Sequence, residues 1–509
     1  MCGIIGITGI DDVVQELYAG MIALQHRGQD ACGIHTFSDK INVKKGRGLV
    51  QEVFNQDNIT TLRGDSGIGH VRYSTVGTGT DEDDIQPFYE SLFFISSMAH
   101  NGNLTNFSEL KDMYGNIASG CDLEAILKVF HTHAVGSAMS LEREGSFPVK
   151  IDICSDVSID MVFDSIKKVM ETSQGSYSVI ANLPGLGMMG FKDPYGIKPL
   201  AVARKSVPRG TAFCFASEDV AFQIPLGYDF IKEIGPGSVF LATTDGRVIE
   251  KSIVDKKVGP KPCIFELIYF ASQTSILDSV SVSEFRYQLG KELGTSFMDD
   301  DAFDREGVIC APVPSASERG AAGFSDATGI PLRDVFVRNA YLRRGFILPD
   351  KSAREYNAAL KLPIDFSVLR DARYVILIDD SIVRGDTSRI IIERLRTECS
   401  KRALPLEKVG FGVLAPPNAF PCVYGIDMPV DKELIYAKSG DLESVRKYIG
   451  VDHLMYNRIE VLDWVLSRLK GEGSGMCNAC FSGVYPTGIS HQEIDRLKQE
   501  RLADKGSDY

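Results

Sequence analysis

The chain lacks long apolar runs, is poor in cysteine and carries no surplus of positive charge, and each shortage closes off a class of protein. Nothing approaches the ~18 consecutive apolar residues that cross a bilayer. The start, Met1-Cys2-Gly3-Ile4-Ile5-Gly6, has neither the basic segment nor the long apolar stretch of a secretory signal. A cytoplasmic protein with no membrane partner is expected. The eleven cysteines, about 2% of 509 residues, are odd in number and scattered, which argues against a disulfide scaffold. Against 68 acidic residues stand 55 basic ones, a net charge of −13. Such a surface repels a polyphosphate unless cations are gathered locally, so no nucleic-acid partner is expected.

What is present is a globular composition, 44% hydrophobic and 24% charged, in a chain too long for one core. The first half alternates short apolar runs with Gly-rich turns, as in Asp65–His70 and 92–95, and reads as strand-rich with helices near 12–24 and 122–134. Gly235-Pro236-Gly237 is a turn, and the charged stretch around Lys251–Lys261 reads as a linker, placing a boundary near 255. The second half alternates buried-strand runs such as Val375–Ile378 with helical patterns such as Arg389–Arg396, the mark of βαβ units and a parallel sheet. Gly471–Gly475 introduces a polar tail. The expected organisation is a domain over 2–250, a second over 263–470, and a tail over 471–509 carrying a cysteine pair.

Cys2 becomes terminal if Met1 is trimmed. A terminal cysteine brings its own base, since a free α-amine titrates near 7.7–8.0 and is partly unprotonated at neutral pH. Taken alone, a cysteine at position 2 is equally open to accident. Three further segments accompany it: Leu24-Gln25-His26-Arg27-Gly28-Gln29-Asp30, Gly69-His70-Val71-Arg72-Tyr73-Ser74-Thr75 and His100-Asn101-Gly102-Asn103-Leu104. In order and spacing the four resemble the class II glutamine amidotransferases. The resemblance implies an N-terminal-nucleophile glutaminase with a four-layered αββα sandwich. It implies that Cys2 attacks the glutamine carboxamide to form a thioester and that Asn101 and Gly102 donate to the oxyanion. Arg72 would grip the α-carboxylate of glutamine, and Asp122 its α-ammonium. His26, His70 and His100 are read as scaffold, because a terminal amine makes a histidine base unnecessary.

The strand pattern 375–378 runs into Asp379-Asp380-Ser381-Ile382-Val383-Arg384-Gly385-Asp386-Thr387-Ser388 and then a helical pattern. Ligands of open α/β sheets sit beyond the strand C-termini, and a helix N-terminus holds phosphate. Adjacent carboxylates suit the vicinal hydroxyls of a ribose with Mg²⁺ close by, although Asp-Asp alone is equally explained by a capped strand-turn-helix. The whole string resembles the phosphoribosyl diphosphate (PRPP) motif of type I phosphoribosyltransferases, implying PRPP contacts from Asp379, Asp380, Ser381, Arg384, Gly385, Asp386, Thr387 and Ser388, with Asp379 and Asp380 toward Mg²⁺. Relatives usually carry Thr at the position of Asp386.

A glutaminase followed by this motif is identified as a member of the amidophosphoribosyltransferase family, with further matches at Phe191–Leu200, Ala216–Glu218, Phe336–Asn339 and 424–429. Membership implies transfer of ammonia from glutamine, through an internal channel, to C1 of PRPP, giving 5-phosphoribosylamine, pyrophosphate and glutamate at the first step of purine biosynthesis. It also implies inhibition by purine nucleotides and a homotetramer. Cys477-Asn478-Ala479-Cys480 is weak as a spacing alone. With Cys480–Pro486, Cys422 and Cys263 it resembles the iron–sulfur branch of that family, implying a [4Fe-4S] cluster on Cys263, Cys422, Cys477 and Cys480; reduced thiols or a structural zinc are the other readings of the residues. Cys32, Cys121, Cys154, Cys214, Cys310 and Cys399 read as ordinary core or surface thiols.

The second half departs from the family where charge is usual. Ser272-Gln273-Thr274-Ser275 replaces Arg-Pro-Asp-Ser, Val313-Pro314-Ser315-Ala316-Ser317 lacks an acidic residue, and Ala358-Ala359-Leu360-Lys361-Leu362 replaces an arginine-rich run, although Arg338, Arg343, Arg344, Lys351, Arg354 and Lys361 lie near. Two alternatives follow: a paralogue with a working glutaminase and an altered phosphosugar half, and a non-catalytic PRPP-sensing regulator.

Overall fold

The computed structural model describes residues 1–73, 82–91, 94–143, 156–208, 210–223, 226–254, 259–299, 305–339, 360–428, 430–471 and 475–506. Ser74, Thr75, Cys154, Arg343, Arg344, Lys351, Arg354, Ala358, Ala359 and Pro429, named above, lie outside them.

The Ile-Gly alternation after Cys2 forms the strand Gly3–Thr8, whose isoleucines are wholly buried. It lies in the middle of a seven-stranded antiparallel sheet, between Gly210–Ala216 and Ser66–Arg72. A six-stranded antiparallel sheet, which includes Ile95–Leu104 paired with Gly175–Leu183, packs face to face on the first. Between them Ile4, Ile68, Ile180, Met188, Phe215 and Phe240 interdigitate, as inner faces of stacked sheets do. The outer face of the first sheet is covered by the helix Val14–Ala23, through Leu17 and Met21. The second is covered by Asp122–Arg143 and Asp156–Thr172, through Leu123, Ile126, Phe130, Val162 and Ile166. This is the expected αββα order.

The second half is built on a four-stranded parallel sheet in the order Val308–Pro312, Tyr374–Asp379, Lys408–Val413, His453–Tyr456. Its central residues Val375–Ile378 are wholly buried, as a sheet with helices on both faces requires. The helices Val282–Asp299 and Glu318–Thr328 approach backbone to backbone, and a Cβ on Gly290 would lie 1.8 Å from the Gly320 carbonyl oxygen. Only glycine fits there.

One sequence expectation needs correction. Lys251 and Ser252 belong to the edge strand Val248–Ser252, so the linker begins later than the charge pattern suggested. The polar tail forms the helix His491–Gly506, where Arg496 pairs with Glu109 at 2.9 Å and Lys498 with Asp431 at 2.6 Å, touching both halves.

The halves meet over polar and charged contacts. Asn103 Nδ2 donates to the Val423 carbonyl at 3.0 Å and Ser176 Oγ to the Tyr424 carbonyl at 2.9 Å. Arg27, wholly buried, joins Glu218 of the first half to Glu266 of the second.

Candidate functional site

The strand Gly3–Thr8 delivers Cys2 to the edge of the sandwich, where the Cys2 backbone N–H donates to Asn101 Oδ1 at 3.1 Å. Asn101 sits on Ile95–Leu104, and its side-chain Nδ2 is buried with no hydrogen-bond partner among the described residues. A buried donor left unmade is costly, and this one belongs to the amide that holds the Cys2 backbone. Gly102 follows, in a register where a Cβ would fall 2.0 Å from the Ser176 carbonyl oxygen. Met1 is buried ahead of Cys2. Its amine is lowered to about 6, chiefly by burial, and Lys198 Nζ donates to its sulfur at 2.7 Å.

Cys2, Gly102, Arg72 and Asp122 line one cavity of about 430 Å³. Arg72, at the end of Ser66–Arg72, lies 3.5 Å from Asp84, whose other oxygen accepts the Gly120 N–H at 2.8 Å. Asp122 opens its helix and accepts the Leu104 N–H at 2.7 Å, with His100 Nε2 3.0 Å away. Burial alone would raise the Asp122 carboxyl, but His100 and the Leu104 N–H outweigh it and hold the group below its ordinary value. The cavity thus offers a thiol, a guanidinium and a carboxylate, the complement of an α-amino acid with a carbonyl at its far end. Leu497 and Glu500 of the C-terminal helix complete its wall.

The three histidines differ. The ring nitrogens of His26 face the Ala23 carbonyl at 3.1 Å and Glu218 at 2.9 Å. His100 is gripped by Gln86, and neither nitrogen of the buried His70 has a hydrogen-bond partner among the described residues. The donor atoms of His100, Cys121 and Asp122 lie within 4.8 Å of one another.

A second cavity, about 620 Å³, opens beyond the C-terminal ends of the parallel strands. Of the loop after Tyr374–Asp379, Asp380 and Thr387 line it. Gly385 has φ +80° and turns the chain into the helix Asp386–Lys401, at whose N-terminus Thr387 stands and Ser388 is buried. Burial, reinforced by neighbouring Asp380, pushes the Asp379 carboxyl well above its ordinary value; a divalent cation would reverse that preference. Ser381 Oγ donates to Asp380 at 2.8 Å. Arg384 is turned away, pairing with exposed Glu433 at 3.0 Å. Asp386 accepts from Tyr448 OH at 2.8 Å, which draws its carboxylate aside from the loop.

Two of the cations named from the sequence reach this cavity. Arg338 donates to Ser315 Oγ at 3.1 Å and lines the cavity with Lys361. Arg286, which sequence reasoning missed, reaches it from Val282–Asp299. Its Nε and Nη2 are fixed by the carbonyls of Leu267 and Ala271 at 2.9 and 2.8 Å, and burial lowers it to about 10. A lone arginine inside an amphipathic helix gives no sequence signal. His26 and Gln29 of the first half also line this cavity.

The four tail-associated cysteines converge. Cys263 and Cys477 lie side by side in a parallel bridge, the Ala419 and Phe420 N–H groups both donate to the Cys480 carbonyl at 3.0 Å, and Cys422 is buried with them. Burial pushes Cys263 up to about 11, and burial with the neighbouring sulfurs raises Cys480 further. Among the described residues the only three donors within 4.8 Å of one another are the histidine group above. Four buried thiols gathered from three distant segments are the donor set that an iron–sulfur cluster or a structural zinc takes.

No protein-family model matches the chain. It is 35% identical over 511 residues to the amidophosphoribosyltransferase of Pasteurella multocida, covering 98% of this chain and 96% of that one. To the amidophosphoribosyltransferase of Escherichia coli it is 35% identical, covering 96% and 93%. A solved structure of glutamine PRPP amidotransferase from B. subtilis, complexed with ADP and GMP, superposes with a TM-score of 0.79 at 31% identity, covering 96% and 98%. Another, of the allosteric regulatory enzyme of purine biosynthesis, gives 0.81 at 30% identity, covering 98% and 99%.

Proposed function

This chain belongs to the amidophosphoribosyltransferase family, and from that premise we propose how its residues divide the work of moving nitrogen from glutamine to PRPP at the first step of purine biosynthesis. After removal of Met1, the Cys2 amine takes the thiol proton and the sulfur adds to the glutamine carboxamide. The Asn101 Nδ2 and the Gly102 N–H receive the oxyanion. Arg72 and Asp122 hold the α-carboxylate and α-ammonium. The proton returns to the leaving nitrogen, ammonia departs, and water releases glutamate from the thioester. In the second cavity Arg286, Arg338 and Lys361 neutralise the diphosphate, and Asp379 and Asp380 face the ribose hydroxyls and would hold Mg²⁺, which would supply further screening of the diphosphate charge. Ammonia adds to C1 as the C1–O bond to pyrophosphate breaks, and loss of a proton from the added nitrogen gives 5-phosphoribosylamine. Catalysis in this half is positioning and charge neutralisation.

The observation that carries the reading is the Cys2–Asn101 pair, an N-terminal thiol whose own backbone fixes a neighbouring amide with its donor left free. Cys263, Cys422, Cys477 and Cys480 would hold a [4Fe-4S] cluster, whose part here is to pin the tail to the second domain, since the reaction moves no electrons. Purine nucleotides are proposed as inhibitors, supported by the relative complexed with ADP and GMP, and the homotetramer is proposed from the family alone. No described helix is long and apolar enough to cross a membrane.

The test is Cys2→Ala in the full chain purified without oxygen. Glutamine-dependent phosphoribosylamine formation should vanish while ammonia-dependent formation persists, and the wild-type protein should lack Met1 by mass and contain about four irons per chain. Glutamine-dependent activity surviving the substitution would overturn the reading.

A further inference from the structure

His100, Cys121 and Asp122 have the spacing of metal ligands, yet the residue that grips His100 assigns them another role. Gln86 is buried, and both ends of its carboxamide are engaged. Its Oε1 accepts the His100 backbone N–H at 2.8 Å. A backbone N–H can only donate, so the orientation of the amide is fixed without ambiguity. Nε2 therefore faces His100 Nδ1 at 2.8 Å and Cys121 Sγ at 3.3 Å, giving one hydrogen to each. An NH₂ group can meet Nδ1 only if that nitrogen is a bare acceptor. The single ring proton is then on Nε2, 3.0 Å from Asp122 Oδ1.

We propose that Gln86 is a positioning residue that keeps His100 neutral, in its Nε2–H form, so that the Asp122 carboxylate facing it is not neutralised and stays available to the α-ammonium of glutamine. An imidazolium at His100 would form a closed ion pair with Asp122 and set a cation beside the place where the substrate's own cation must sit. A neutral N–H facing the carboxylate adds no charge there. The same lock removes the one lone pair by which His100 could join Cys121 and Asp122 on a metal, which explains why a group with ligand spacing serves an organic ammonium. The other titratable groups facing these residues are Arg72 with its partner Asp84, the buried ring of His70, and Lys45, which lies within electrostatic reach of Cys121. None of them is a hydrogen-bond partner of His100 Nδ1 among the described residues. The inference rests on the proposed role of Asp122 in binding glutamine.

The experiment uses the full-length enzyme with PRPP present and follows glutamine KM and kcat against pH for wild type, Gln86→Glu and Asp122→Asn. Glu at 86 keeps the contact to the His100 N–H but presents an acceptor to Nδ1, so the ring gains a second proton. KM should rise by roughly tenfold, the scale of one pKa unit of interaction, with kcat changed far less, and should fall back as pH is raised through the new imidazolium titration. Asp122→Asn should raise KM at every pH. If Asp122→Asn leaves KM unchanged, the role of Asp122 fails. If it raises KM while Gln86→Glu does not, or does so equally at all pH values with kcat falling in step, the proposal alone fails. Should Gln86→Glu not fold, ¹⁵N-histidine spectra of the wild type, with His100 identified by its loss in His100→Asn, decide: an unprotonated Nδ1 throughout the neutral range supports the lock, and a protonated one overturns it.

Discussion

Asn101 uses one end of its amide to hold the backbone at Cys2 and leaves the other bare, a division of labour that residue identity alone does not announce. The motifs carried Cys2, Arg72, Gly102 and Asp122 into one cavity because each is a residue type with few substitutes for its chemistry. Arg286 and Gln86 escaped notice for the opposite reason. An arginine on a helix is usually solvated, and a glutamine in the short segment Ile85–Phe88 sits in no period that would assign it a face. Arg286 nonetheless carries a testable load. Two of its nitrogens are held by carbonyls, and Asp380 lies within electrostatic reach. Arg286→Met should raise the KM for PRPP by about ten- to a hundredfold, as loss of one charge-assisted hydrogen bond of ~1.5–3 kcal/mol implies, while leaving glutamine KM in the absence of PRPP unchanged. Initial-rate kinetics at fixed ammonia measure the first effect without involving the other half.

At the scale of elements, the strand Tyr374–Asp379 and the helix Asp386–Lys401 were legible because an apolar run ending in acid and glycine, followed by a 3.6-residue period, has few other meanings. A carboxylate at position 386 suits a phosphate site only if its backbone N–H, and not its side chain, faces the ligand. Tyr448, from the helix Leu442–Ile449, donates a 2.8 Å hydrogen bond to that carboxylate. Tyr448→Phe releases that carboxylate at a helix N-terminus where a phosphate is proposed to bind. The KM for PRPP should rise roughly two- to tenfold, the worth of a hydrogen bond of ~0.5–1.5 kcal/mol, with kcat and thermal stability little altered. Tyr448→Phe with unchanged PRPP affinity would show that Asp386 never faced the phosphates. The docking of the C-terminal helix was not legible, because its ion pairs to Glu109 and Asp431 are long-range and invisible to any local pattern.

For the molecule as a whole, the junction is governed by the buried triad Glu218, Arg27 and Glu266. Burial works against the ionised Glu218 carboxylate, but His26 and Arg27 outweigh it and hold the carboxyl far below its ordinary value near 4.5. A depressed carboxyl contributes stability that is complete above its unfolded pKa and is lost as pH falls toward the folded one. The Tm advantage of wild type over Glu218→Gln should therefore stay level from about pH 8 to about pH 6 and shrink below about pH 4.5. Arg27→Met removes the cation that two buried carboxylates share, leaving Glu266 without it and Glu218 with His26 alone, and should cost about 3–5 kcal/mol by denaturant unfolding. The domain order was legible from sequence, since the two motif sets occupy separate halves. Their junction was not, because the three residues of the triad come from three distant segments.

That triad also bears on how the protein can be divided. A guanidinium that answers to one carboxylate on each side of the seam commits both sides to each other. Cut in the linker, the N-terminal piece would keep a cation with half its counter-charge, and the C-terminal piece a carboxylate with none, each turned toward water that the intact chain never admits. The two catalysts are therefore not interchangeable modules joined for convenience: swapping either for a distant relative's would mean transplanting its half of this electrical contract as well.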